Sequence, residues 1–209
     1  KFLHYANDDL SIIDNSVIEY AEKGVYLESS SPSIKNSTIR FNTYGIDSDA
    51  SSEPQIVGNI LSNNVHPVYM CARSVDGNIH GNTYEENTNK RIWLYGIESN
   101  GSWIRLGEYK TYNWLNDGAP YYVATEVRIE RENNSNQITT LQIENGAIVN
   151  FSENKSLKIG STDNGNYKGT ILARGVTFSS GDANVKWGGI RLNHYSDDAT
   201  SILDSCTIE

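Results

Sequence analysis

The sequence predicts an all-β chain folded as a right-handed parallel β-helix, a solenoid in which equivalent positions recur at intervals of 21 to 24. Three observations predict it. Short segments rich in Val, Ile, Thr and Tyr recur at nearly fixed spacing, Gly, Asn, Asp and Ser separate them, and the end of the chain repeats its beginning.

The short repeat shows in the first half as Gly24-Val25-Tyr26-Leu27, Gly45-Ile46-Asp47-Ser48, Pro67-Val68-Tyr69-Met70 and Arg91-Ile92-Trp93-Leu94. From Val25 to Ile46, Val68 and Ile92 the numbering advances by 21, 22 and 24. A second register accompanies it, from Ile13 to Ile18, Ile34 to Ile39, Ile56 to Leu61 and Ile79 to Tyr84. Two strand-like segments per turn are therefore expected. Helical solenoids are excluded because no segment has a helical apolar period, and the L-x-x-L-x-L frame of a leucine-rich repeat is missing.

In a parallel stack, equivalent residues form columns about 4.8 Å apart. Alternation along each strand places Val25, Ile46, Val68 and Ile92 inward, with Leu27, Ser48, Met70 and Leu94, and turns Tyr26, Asp47, Tyr69 and Trp93 outward. Ser16, Ser37, Asn59 and Asn82 form a further column whose side chains are expected to hydrogen-bond from coil to coil.

The long repeat aligns His4 to Glu19 on His194 to Glu209 without a gap, with eight of sixteen residues identical at an offset of 190. The chain is accordingly read as one period of a tandem array plus an overlap. Residues 1–97 are expected to be the C-terminal coils of one β-helix unit, 98–119 a connector, and 120–209 the N-terminal coils of the next. The opening at Lys1-Phe2-Leu3 reads as mid-element.

Composition sets outer bounds. A 37% hydrophobic and 21% charged chain is that of a folded protein. Seventeen Lys and Arg against 26 Asp and Glu give a net charge of −9, which argues against a sequence-independent grip on nucleic acid. No run approaches the roughly 18 apolar residues of a membrane span, so no direct membrane insertion is expected. Cys71 and Cys206 lack CxxC spacing and nearby His pairs, and are expected to be free thiols. Asn-x-Ser/Thr triplets such as Asn36-Ser37-Thr38 and Asn133-Asn134-Ser135 carry little weight in a chain this rich in Asn and Ser.

From Trp114 onward the sequence resembles a module of bacterial and archaeal surface proteins in the pectin-lyase-like β-helix superfamily. The words that carry the resemblance are Gly118-Ala119-Pro120-Tyr121-Tyr122-Val123, Leu141 to Phe151, Ser156-Leu157-Lys158-Ile159-Gly160, Gly169 to Ser180, and Trp187-Gly188-Gly189-Ile190. One departure is Asn145, where such modules usually carry Pro after Glu. The resemblance implies the fold and an extracellular or cell-surface location, and much less often a catalytic role.

Enzymatic relatives with this fold use clustered acids. The Asp pairs here, Asp8-Asp9 and Asp197-Asp198, read as polar turns, since the repeat turns Asp9 into Ala199. His4 and His194 belong to the architecture of the unit, and no nucleophile motif accompanies them. Asp163-Asn164-Gly165-Asn166 and Asp47-Ser48-Asp49 offer oxygens to Ca²⁺, yet turn formation explains them more simply.

No catalytic, metal or cofactor residues are therefore expected. The outward column Tyr26, Asp47, Tyr69 and Trp93 is the candidate surface for a glycan or another partner. The functional expectation is a non-catalytic extracellular repeat module, a rigid stalk, spacer or adhesin segment with end-to-end homotypic contacts. The alternative is a β-helix that binds or cleaves extracellular polysaccharide.

Overall fold

The computed structural model describes residues 1–5, 7–131, 137–163 and 167–209. The chain is a right-handed parallel β-helix in which the ladders between described strands are parallel. Two compact units divide it, Lys1–Leu94 with Asp117–Tyr121, and Tyr95–Asn116 with Tyr122–Glu209.

The first unit winds through four coils. They hold β1 (Ile12–Asp14), β2 (Val17–Glu19) and β3 (Lys23–Leu27), then β4 (Ser33–Lys35), β5 (Thr38–Arg40) and β6 (Tyr44–Ser48). The third has β7 (Gln55–Val57), β8 (Ile60–Ser62) and β9 (His66–Cys71), and the fourth β10 (Ile79–His80), β11 (Thr83–Glu85) and β12 (Ile92–Tyr95). Each coil has three strands, not the two the sequence pattern shows. The reason is a sharp bend inside the second register: Asn15, Asn36, Gly58 and Gly81 all have positive φ, and each separates two short strands. Asn tolerates that left-handed region better than most residues, and Gly adopts it without steric cost.

The expected inward columns are buried throughout, Val25 at 2% exposure and Ile46, Val68, Ile92, Leu27, Ser48, Met70 and Leu94 at 0%. The side-chain ladder also forms. The Ser16 N–H donates to Ser37 Oγ at 3.1 Å, Ser37 N–H to Asn59 Oδ1 at 3.0 Å, and Asn59 N–H to Asn82 Oδ1 at 2.9 Å. Each Asn amide also reaches back to a backbone carbonyl, Asn59 Nδ2 to Ile34 O and Asn82 Nδ2 to Ile56 O, both at 2.9 Å.

A second ladder runs parallel to the first. Ala21, Asn42 and Asn64 N–H donate in turn to the Oδ1 of Asn42, Asn64 and Asn87. Asp117 caps the first ladder, with its two carboxylate oxygens taking Asn82 N–H, Asn82 Nδ2 and, at 2.6 Å, the Tyr84 hydroxyl. Burial, and then the Asp117 charge, hold the Tyr84 phenol well above the ordinary tyrosine range.

The second unit contains β13 (Trp103–Leu106), β14 (Thr111–Trp114), β15 (Tyr121–Val123), β16 (Glu126–Ile129), β17 (Thr139–Ile143) and β18 (Ile148–Phe151). It continues with β19 (Ser156–Ile159), β20 (Gly169–Arg174), β21 (Thr177–Ser180), β22 (Gly189–Leu192), β23 (Ile202–Asp204) and β24 (Thr207–Ile208). Within residues 98–119, β13 pairs with β16 and β14 with β17, and Ile104, Leu106, Tyr112 and Trp114 are buried. The coils here are longer than the first half predicts. Successive strands of one sheet start at Trp103, Glu126, Ser156 and Gly189, so the step from coil to coil grows from 23 to 30 to 33.

The long repeat is also a repeat of structure. Strands β1 and β2 begin at Ile12 and Val17, β23 and β24 at Ile202 and Thr207, so both pairs keep the sequence offset of 190. Ser205 adopts the same positive φ as Asn15, 53° against 47°. His194 meets Tyr195 edge-on at 4.5 Å, as His4 meets Tyr5 at 4.9 Å.

The Asn ladder generates a stability prediction. Asn59→Ala removes the acceptor of the Ser37 N–H and the donor to Ile34 O, both buried, and is expected to lower unfolding stability by about 2–4 kcal/mol. Asn59→Ser keeps an acceptor of the kind Ser37 supplies and is expected to lose less. Urea midpoints at constant m-value measure both.

Candidate functional site

Strands β3, β6, β9 and β12 carry Tyr26, Asp47, Tyr69 and Trp93, of which the three aromatic residues are half-buried and Asp47, expected to face outward, is buried in its pairing with Lys23. Tyr26 stands opposite Asp47, and Asp47 opposite Tyr69, in the strand register. The Tyr69 and Trp93 rings stack at 6.3 Å with an interplanar angle of 24°.

The structure adds three members that sequence reasoning missed, Lys23, Tyr44 and His66, which form a neighbouring column in the same register. His66 lies flat on Tyr44 at 5.1 Å and edge-on to Trp93 at 5.3 Å, and Tyr44 meets Tyr69 edge-on at 5.4 Å. The four rings thus form one continuous aromatic patch.

Simple alternation hides these residues. Lys23 and Tyr44 lie two positions before Val25 and Ile46, yet they face out while the later pair faces in, because Gly24 and Gly45 take up an extra residue in each strand. Glycine is required there. A Cβ on Gly45 would come within 2.6 Å of Pro67 O on the next coil, and one on Gly24 within 2.7 Å of Gly45 O. The signal available in the sequence was the Gly just before Val25 and Ile46.

Charge at the patch is internally matched. Lys23 Nζ sits 2.6 Å from Asp47 Oδ2 and 4.0 Å over the Tyr26 ring. The hydrogen bond to Asp47 outweighs burial and raises the Lys23 pKa above the ordinary lysine value. Asp47 is the one carboxylate of the column and is committed to Lys23, so the pair of carboxylates flanking a bond that glycoside hydrolysis uses is not assembled here. What the patch offers is flat aromatic surface with a fixed dipole at one end, suited to stacking rather than proton transfer.

The other sequence candidates take structural roles. Asp8 accepts the Ser31 N–H, Asp197 the Ala199 N–H and Asp198 the Ser196 hydroxyl. In the segment considered for Ca²⁺ at 47–49, Asp49 accepts from Ser29 N, Ser51 N and Ser52 Oγ, closing the turn after β6. Of the other such segment, Asn164 to Asn166 lie outside the described residues, as does the Asn133-Asn134-Ser135 triplet. Cys71 is buried, Cys206 half-buried, and both are free thiols.

Residues 2–103 match the family described as periplasmic copper-binding protein (NosD). No curated protein and no solved structure matches the chain. The coil register, the side-chain ladders and this match agree. The chain is a parallel β-helix repeat protein.

Copper would require a different set of donors. Its sites are built from imidazole, thiolate and thioether groups converging on one point. Among the described residues, no group of three His, Cys, Asp or Glu side chains is placed to hold a metal ion. Within the matched segment His66 is packed between aromatic rings, and Cys71 and Met70 are buried in the core. Among the described residues, the side chains do not assemble a donor set that fits copper.

Burial within the patch lowers the His66 pKa below the ordinary imidazole value of 6.5. The folded state then binds fewer protons than the unfolded state between the two pKa values. This contribution to stability is fully present above pH 6.5 and is lost as pH falls from 6.5 through the folded pKa. A two-dimensional NMR titration should place the His66 midpoint below 6.5 in the folded chain and return it to that value in urea.

Proposed function

We propose that this chain is a non-catalytic, extracytoplasmic repeat module that serves as a rigid spacer or adhesive segment, with successive units stacked end to end. One observation carries the reading. Residues 194–209 repeat residues 4–19 in sequence, strand positions, turn conformation and the His-Tyr contact, so the same coil occurs once in each unit.

The terminal coils leave core positions open. Leu203 and Ile208 are 36% and 55% exposed, while Ile34 and Ile39, which occupy the corresponding inward positions of the second coil, are at 0%. Covering such residues with a further coil removes apolar area from water, at roughly 25 cal/mol per Å². It also pairs the open strand edges, which otherwise invite association. Residues 1–97 and 120–209 are, on this reading, parts of two consecutive units. The periplasmic description of the matched family supports a location outside the cytoplasm.

A chain in which residues 20–97 are repeated after Glu209 tests the stacking directly. Amide hydrogen exchange in β23 and β24 should slow at least a hundredfold relative to the present chain. Unchanged exchange would overturn the end-to-end reading.

A second reading is favoured by the aromatic patch. Tyr44, His66, Tyr69 and Trp93 form a continuous stack on an outward sheet face, a surface on which neutral sugar rings can lie. On this reading the module binds an extracellular glycan through the patch. Tyr69→Ala and Trp93→Ala are each expected to abolish glycan-array signals of the parent chain while leaving its far-ultraviolet spectrum intact. Retained signals would exclude this surface as the glycan site.

A further inference from the structure

On the second unit a different outward column is entirely cationic. Strands β13, β16, β19 and β22 bring Arg105, Arg128, Lys158 and Arg191 into register, one on each successive coil, so four cations stand in a row about 4.8 Å apart. The row lines a cleft of about 450 Å³ that Ser161 and Asn193 also border. In a chain of net charge −9, such a row is not explained by composition.

Three of the four cations are held in place rather than free to swing. Arg128 Nη2 lies 2.8 Å and Lys158 Nζ 2.6 Å from the carboxylate of Glu126, and Arg105 Nε lies 2.9 Å from Glu130. The Arg128 guanidinium rests 4.2 Å over the Trp103 ring. Burial alone would raise the Glu126 pKa, but the hydrogen bonds from Lys158 and Arg128 hold it below the ordinary glutamate value, so it stays ionised and keeps both cations positioned. Arg191, at the exposed end of the row, makes no ion pair among the described residues.

We propose that this cleft binds a phosphate monoester group, read by Arg128, Lys158 and Arg191. The placement of the donors selects that chemistry. Glu126 already occupies Nε and Nη2 of Arg128, so an incoming anion meets donors on three different coils rather than one planar fork. A tetrahedral group with three acceptor oxygens can reach donors on all three coils at once, whereas a carboxylate, with two, is satisfied by the Arg191 fork alone.

The probes are inorganic phosphate and a phosphorylated monosaccharide, followed by NMR on the intact chain at low ionic strength, with glucuronate at equal ionic strength as the comparison. Both phosphates should shift the amides of Lys158, Arg191 and Asn193, and binding should weaken as pH drops below about 6, where the phosphate dianion takes up a proton. Arg191→Gln and Lys158→Gln are each expected to weaken binding at least fivefold, and Lys186→Gln, outside the row, to leave it unchanged. Tighter binding of the sugar phosphate assigns the site to an ester-bearing ligand, and tighter binding of inorganic phosphate to the free ion. The proposal fails if neither phosphate shifts these amides, if Arg191→Gln binds as the parent does, or if glucuronate binds as tightly.

Discussion

Parallel stacking makes each residue answer to its equivalents one coil above and one coil below. A strand at the start of a coil pairs with the same strand of the next coil, about 4.8 Å away, and the side chains follow. At the tight turns that carry a side-chain ladder, the backbone turns in the same way from coil to coil. A left-handed residue precedes each ladder position: Asn15, Asn36, Gly58 and Gly81 in one turn, Tyr20, Phe41, Asn63 and Glu86 in another. For Tyr20 and Phe41 this conformation carries a steric cost, and their rings stack in parallel at 5.2 Å on the outer surface.

Inside those turns, the same backbone accepts two solutions for the buried side chain. In the first unit the positions after the left-handed residue are Ser37, Asn59 and Asn82, whose side chains satisfy backbone groups between coils. In the second unit Gly146 and Gly175 precede Ala147 and Val176, both buried and apolar. The strand that follows is anchored alike in both cases, Ile60 N–H to Ser37 O at 2.9 Å and Thr177 N–H to Ala147 O at 3.1 Å. Backbone pairing thus sets the turn, and the polar ladder is one way of filling it. Where the ladder does form, it is strongly coupled, because each amide serves two coils and removing one leaves buried groups in both.

These constraints explain which features were legible in the sequence. The inward columns of the first unit could be read because period-two alternation and a near-constant coil length hold there together. The ladder through Ser16, Ser37, Asn59 and Asn82 was visible for the same reason. The ladder through Asn42, Asn64 and Asn87 obeys the same spacing but opens on Ala21, so it lacks a polar residue at its first position. Lys23, Tyr44 and His66 were hidden because alternation breaks before the inward Val25 and Ile46. The cationic row was hidden by coil length: the step between coils changes at every turn of the second unit, so Arg105, Arg128, Lys158 and Arg191 align in space and not in sequence.

The two copies of the repeated segment stand beside different ways of filling the turn. Cys206 occupies the place of Ser16, after Ser205 in the left-handed conformation, and on its inner side it follows the apolar positions Ala147 and Val176. Its thiol lies 3.5 Å from Ala173 O and 3.4 Å from Asp204 O, as Ser16 Oγ donates to Asp14 O at 2.9 Å. A thiol packs as a small apolar group and still donates weakly, so it suits a column that is apolar on one side. Ser16 faces a polar neighbour, since its N–H donates to Ser37 Oγ. Cys206 thus lies against an apolar turn column, and Ser16 against a hydrogen-bonded one.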